Sequence, residues 1–111
     1  MKEGSPAGKK KEYKSPDEYD EDIKAEEMAL AGFEHFRDNT LAQQAENEHI
    51  IKTIKDEELP NEEKALAYNI ELRQMLAQDL GFLRASIEDI KKGVEELKIA
   101  REKERVRRAT H

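Results

Sequence analysis

The fold is decided by one stretch, residues 76–97, which reads LAQDLGFLRASIEDIKKGVEEL. Its apolar residues recur at alternating spacings of four and three positions, which places them along one side of an α-helix. Two apolar residues in every seven form the narrow stripe typical of a coiled coil. We call this stripe the seam, and it consists of Leu76, Leu80, Leu83, Ile87, Ile90, Val94 and Leu97.

The helix that carries the seam is predicted to extend beyond it in both directions. The strongest interruption in the chain is Leu59-Pro60-Asn61, because the residue before a proline is disfavoured in a helix. From 62 to 108 nothing comparable occurs, since Gly81 and Gly93 each cost only about 1 kcal/mol relative to alanine. We therefore predict a long second helix over 62–108 that ends in basic residues.

A first helical arm is predicted over residues 15–58. Ser15 suits the capping position and Pro16 the first position inside the helix. Asp38, Asn39 and Thr40 favour caps, so this arm is either one helix or a helix kinked or broken near 38–40. The apolar contacts expected from it are Ile23, Leu30, Phe33, Phe36, Leu41, Ala45, Ile50, Ile51 and Ile54.

Two arms of similar length, joined by a turn at 59–61, predict an all-α fold. The expected architecture is a long antiparallel helical hairpin, or coiled coil. Residues 1–14 lack an apolar period and are rich in lysine, so we expect a disordered basic arm. The apolar pattern of the first arm is poorer than that of the second. The seam is therefore expected to stay partly uncovered and to bind a partner helix, which could be a second copy of the chain.

The charge is distributed as an acidic body with two basic ends. The 111 residues carry a net charge of −6, and residues 1–14 and 101–111 each carry +3, so 15–100 carry −12. The acidic body opposes binding to nucleic acid. The basic ends are instead expected to contact an acidic protein surface, and the candidate residues are Arg101, Arg105, Arg107 and Arg108.

The composition predicts a protein that binds other proteins and does not catalyse a reaction. Cysteine is absent, and no serine has a histidine near it in sequence. No apolar stretch approaches the roughly 20 residues of a membrane span, so the expected location is cytoplasmic. We expect a non-enzymatic, cofactor-free interaction subunit or adaptor of a cytoskeletal or other multi-subunit assembly. It would dock through the seam, through Phe82 beside it, and through the basic ends.

Two alternative functions remain open. Glu46 and His49 are three residues apart on one helix face, a spacing used by carboxylate-bridged metal bundles. A hairpin with this pair resembles the two-helix ferritin-like proteins of protein nanocompartments, and the resemblance implies a metal site completed by dimerisation. The competing interpretation is a solvated polar pair without metal. A viral assembly scaffold is a further alternative, because such proteins are also helical, highly charged and basic at the carboxyl end.

Overall fold

The chain forms two long helices that pack side by side in opposite directions. A computed structural model describes residues 13–57 and 62–110. Helix α1 spans Pro16–Asp56 and helix α2 spans Glu63–Ala109. The predicted all-α hairpin is confirmed. The predicted turn at 59–61, and residues 1–12 of the predicted basic arm, lie outside the described residues.

Helix α1 begins with a complete capping box. The Ser15 hydroxyl accepts a hydrogen bond from the Glu18 backbone N–H (3.1 Å), and the Ser15 backbone N–H donates to the Glu18 carboxylate (2.8 Å). Both bonds satisfy donors that a helix start leaves without partners. The helix then continues without interruption through 38–40. There the Thr40 hydroxyl donates to the Phe36 carbonyl (2.9 Å), a bond inside the helix that does not end it.

Helix α1 contacts α2 through a stripe with the same three-and-four spacing as the seam. Twelve positions from Ile23 to Ile54 are buried or half-buried; ten of them follow this spacing, and half of those ten are polar. These ten are Ile23, Glu26, Leu30, Phe33, Arg37, Thr40, Gln44, Asn47, Ile51 and Ile54. Because of these polar members, apolar spacing alone does not reveal the stripe. The other expected contacts, Phe36, Leu41, Ala45 and Ile50, are exposed and lie beside this stripe, where Phe36 and Leu41 meet α2 only at its edge.

The seam of α2 lies inside the hairpin. Leu76, Leu80, Leu83, Ile87 and Val94 are buried, and Ile90 and Leu97 are half-buried. Helix α1 thus covers most of the seam, and the part that stays partly uncovered is limited to Ile90 and Leu97. Long side chains on α1, such as those of Arg37 and Gln44, can cover apolar neighbours with their aliphatic stems while their polar ends reach solvent.

The open end of the hairpin holds two residues that were assigned to the disordered arm. The Tyr13 ring lies under the Arg107 guanidinium, 4.1 Å from ring centroid to Cζ, and the Lys14 ammonium forms an ion pair with Asp22. Cation–π and ionic contacts hold this segment, and neither depends on the apolar period that the prediction used.

Within the described residues, neither helix has a stretch long and apolar enough to cross a membrane.

Candidate interaction surfaces

One side of the hairpin exposes aromatic side chains, and we call it the aromatic flank. Phe36 of α1 is 62% exposed and Phe82 of α2 is 67% exposed, yet both line the same shallow groove with Thr40, Asp79 and Leu83. Each ring therefore touches the edge of the seam and leaves most of its surface to solvent. Exposed apolar surface of this kind marks sites where proteins bind other molecules.

An apolar depression lies next to this groove on α1. It has a volume of about 140 Å³ and is lined by Ala29, Gly32, Phe33 and Phe36. Apart from the neighbouring residues and the backbone of its own helix, a Cβ atom added at Gly32 would meet no atom within 4 Å, so the depression is open to the outside. The aromatic flank thus offers both a protruding ring at Phe82 and a recess at Gly32.

Helix α2 continues the aromatic flank at intervals of seven residues. Tyr68, Met75 and Phe82 each precede a buried or seam residue by one position, and all three are exposed. Seven residues are close to two helical turns, so the three side chains lie on one side of α2. Towards the open end the half-buried residues at the edge of the same flank are small, namely Ser86, Gly93 and Ala100.

The opposite side of the hairpin carries charged pairs, and we call it the charged flank. Glu48 pairs with Arg73 at 3.5 Å, and Asp20 pairs with Arg101 at 2.7 Å. Between these pairs, Arg84, Glu88 and Lys91 of α2 line a depression with Arg37, Asp38 and Leu41 of α1. The acidic partners of both interhelical pairs come from α1 and the basic partners from α2.

At the basic end the buried carboxylate of Glu104 organises the arginines. Its side chain receives hydrogen bonds from Arg107 Nε (2.8 Å), Arg107 Nη2 (2.6 Å) and Arg108 Nε (2.5 Å). The bonds from Arg107, helped by those from Arg108, lower the pKa of Glu104 to about 2. The same carboxylate raises the pKa of the Arg107 guanidinium. Because Arg107 also stacks on Tyr13, this cluster joins the end of α2 to the residues that precede α1.

All four arginines predicted to contact an acidic partner are engaged within the chain. Arg101 pairs with Asp20, Arg107 and Arg108 pair with Glu104, and Arg105 pairs with Glu102 at 3.5 Å. Arg105 has the longest of these contacts and a side chain that is about half exposed. An acidic partner would therefore meet guanidinium groups that already have a carboxylate neighbour.

Two asparagines form a buried polar contact inside the interface near the turn. Asn47 is only 2% exposed, and its amide donates to the Asn69 backbone carbonyl (2.8 Å) and to Asn69 Oδ1 (3.2 Å). The Asn69 amide donates to the Ala65 carbonyl (2.7 Å). Asn47 Oδ1 is buried without a hydrogen-bond partner among the described residues. A buried amide pair of this kind costs stability and fixes the alignment of two helices.

Sequence reasoning missed Asn69 and Glu104, although the seam itself contained the signal. Extending its seven-residue repeat backwards from Leu76 reaches Asn69, and extending it forwards from Leu97 reaches Glu104. Both residues are buried, as the repeat requires. Their polar side chains lie outside the apolar run from Leu76 to Leu97, which is why apolar spacing alone does not include them.

In the part of the chain that the structure describes, no cluster of further metal ligands accompanies the candidate metal pair. Glu46 and His49 are both exposed on α1. Among the residues that the structure describes, no group of three or more histidine, aspartate or glutamate side chains is arranged to hold a metal ion. The pair therefore has the surroundings of a solvated helix face.

No family model, curated protein or solved structure matches this chain.

Proposed function

We propose that the chain is a non-enzymatic interaction subunit or adaptor of a larger assembly, and that it binds protein partners through its aromatic flank. The exposure of Phe36 and Phe82 on one groove carries this proposal. Two large rings that lie beside each other in solvent keep most of their apolar surface exposed to water after folding. A partner that covered them would remove this surface from water, which favours binding. Most of the seam faces α1 inside the hairpin, so the proposed docking surface is the flank beside the seam, which includes Phe82.

The basic end supplies a second proposed contact, with an acidic surface. Residues 101–111 carry a net charge of +3, and Arg105 is the arginine with the weakest contact inside the chain. Electrostatic attraction at this end would orient a partner that the aromatic flank binds. A cytoplasmic assembly, either cytoskeletal or otherwise multi-subunit, is the context we propose.

Site-specific photo-crosslinking tests this function. A photoreactive phenylalanine analogue replaces Phe82 in one variant and Glu95, which is exposed and seven residues beyond Glu88 of the charged flank, in the other. We expect protein crosslinks from position 82 and few from position 95 in cells of the native source. Equal crosslinking from the two positions, or none from position 82, would contradict a docking role for the aromatic flank.

A further inference from the structure

We propose that one end of the hairpin opens separately from the rest of the molecule. The opening unit, which we call the turn end, consists of residues 48–56 of α1 and 63–68 of α2, where the chain passes from one helix to the other. A polar layer in the interface separates the turn end from the apolar seam that begins at Leu76. Opening uncovers Ile51 and Ile54, which are 3% and 8% exposed in the closed hairpin.

The polar layer is formed by both helices at the same level of the hairpin. Helix α2 contributes Asn69 and Arg73, the two positions that precede Leu76 at the spacing of the seam. Helix α1 contributes Asn47, whose amide donates to the backbone and side-chain oxygens of Asn69. From Leu76 to Leu97 the seam is apolar at every position, so the polar residues of α1 have apolar neighbours there. At the layer, by contrast, polar side chains meet polar side chains.

The contacts within the polar layer contribute little to holding the helices together. Asn47 Oδ1 is buried without a hydrogen-bond partner among the described residues, so the layer leaves one polar group desolvated and uncompensated. The pair of Arg73 with Glu48 is 3.5 Å long and both side chains are about half exposed, and such pairs add little stability. Separating the helices at the layer therefore costs less free energy than separating them at the seam, where Leu76 and Leu80 are buried.

The helix ends at the turn end are terminated less well than the start of α1. Ser15 begins α1 with a complete capping box, whereas Glu62, at the corresponding position of α2, makes no side-chain hydrogen bond that caps the helix. Helix α1 ends with Asp56 followed by Glu57, and acidic side chains are unfavourable at the negative end of the helix dipole. Lys55 offsets part of this charge. Both helices therefore begin to fray more easily at the turn end.

Opening the turn end exposes little apolar surface and adds little loop entropy. Among the described residues, the buried apolar side chains of the turn end are Ile51 and Ile54, and those beyond the polar layer are Ile23, Leu76, Leu80, Leu83, Ile87 and Val94. Opening lengthens the connection between the paired parts from 57–62 to about 48–68, and the entropy of closing a loop grows only slowly with its length. Helical segments this short do not persist without packing, so their backbone amides become accessible to solvent.

Hydrogen–deuterium exchange of the full chain, followed amide by amide, measures this opening. We expect the amides of 50–56 to have protection factors at least about tenfold lower than those of 30–44, with the change located at Asn47. On α2 the amides of 67–68 should differ in the same way from those of 80–94. Equal protection along α1, or a decline spread evenly from Phe36 to Asp56, would overturn the proposal.

Two double variants test whether the polar layer is the boundary. Asn47→Leu with Asn69→Leu makes the interface more continuous and should raise the protection of 50–56 by at least about tenfold. Arg37→Leu with Thr40→Leu also places two leucines at half-buried positions, but on the seam side of the layer, so the difference in protection should remain.

The proposal fails if the turn end stays weakly protected in the first double variant, or gains as much protection in the second. Circular dichroism of both variants shows whether the helices are intact. If either variant does not fold, the position of the change in the wild-type exchange profile decides the question by itself.

Discussion

The two helices contribute stripes of different chemical character to the same interface. In α2 the seam is apolar at all seven positions from Leu76 to Leu97, whereas the stripe of α1 contains Glu26, Arg37, Thr40 and Gln44 over the matching length. Both stripes are nevertheless buried or half-buried. The difference indicates that α2 provides most of the hydrophobic stabilisation, while α1 determines which helix α2 can pair with.

The charged flank supports this division of roles. The acids of its interhelical pairs, Asp20 and Glu48, belong to α1, and their arginines belong to α2. Two α2 helices paired through their seams would bring basic residues such as Arg84 and Lys91 towards each other. The charges therefore favour α1 over a second α2 as the partner of the seam, although exposed pairs contribute little stability individually.

The largest effect on the free energy of unfolding is expected when a buried side chain of the α2 seam is truncated. Leu76 of the seam is buried. Gln44 lies on α1 at about the same level of the hairpin as Leu76, one helical turn from the Asn47–Asn69 contact. Leu76→Ala should lower the free energy of unfolding by about 2–5 kcal/mol, because it leaves a cavity. Gln44→Ala should lower it by less than about 1 kcal/mol, since a half-buried polar side chain loses little apolar contact. Urea unfolding followed by circular dichroism measures both values, and equal losses would show that the two stripes do not differ in the way proposed.

The next effect concerns the asparagine pair. Asn47→Ala should cost about 1–3 kcal/mol, because it removes the amide that satisfies buried oxygens of Asn69. Replacing both residues, Asn47→Leu with Asn69→Leu, should restore the wild-type stability or exceed it, since no buried polar group then lacks a partner. Unfolding of the single and double variants in urea tests this difference. A double variant no more stable than Asn47→Ala would show that the pair contributes packing and not polar pairing.

A smaller change, this time a gain in stability, is expected when the stripe of α1 is made more apolar, like the seam of α2. Gln44→Leu places an apolar side chain against the seam and should raise the free energy of unfolding by about 1 kcal/mol. Gln43→Leu is the matched control, because Gln43 is exposed and should give no comparable gain. Thermal unfolding distinguishes the two variants. If Gln43→Leu stabilises the hairpin as much as Gln44→Leu, helix propensity and not the interface is responsible.

The sequence predicted the hairpin because the seam of α2 repeats without a polar interruption from Leu76 to Leu97. It predicted the start of α1 from Ser15 and Pro16, since a cap depends on residues next to each other in the chain. It did not predict the stripe of α1, because Arg37 and Gln44 bury their stems and so break the link between burial and apolar character.

The surfaces were harder to predict than the fold. Phe82 is exposed beside the seam, whereas Phe36, which the sequence predicts as an interhelical contact, lies at the edge of the interface and is mostly exposed. A single helix with an uneven apolar pattern allows more than one buried face, and the choice between them depends on the partner helix. The stacking of Arg107 on Tyr13 likewise depends on where α2 ends relative to the residues that precede α1, which only the folded hairpin determines.

The smallest effect on stability at neutral pH is expected from replacing Glu104. In acid, the same replacement should change the pH dependence of the melting temperature. Its pKa falls from an ordinary value of 4.5 to about 2 in the folded chain, because Arg107 and Arg108 bind the ionised carboxylate. Between these two values the unfolded chain takes up the proton first. The stabilisation is therefore complete above pH 4.5 and is lost as the pH falls towards 2. Glu104→Gln should flatten the decline of the melting temperature across this window, whereas Glu102→Gln, which removes the exposed partner of Arg105, should keep it. Melting temperatures of the three proteins from pH 7 to pH 2 measure the difference. Parallel curves for the wild type and Glu104→Gln would show that the arginine cluster does not couple the end of α2 to folding.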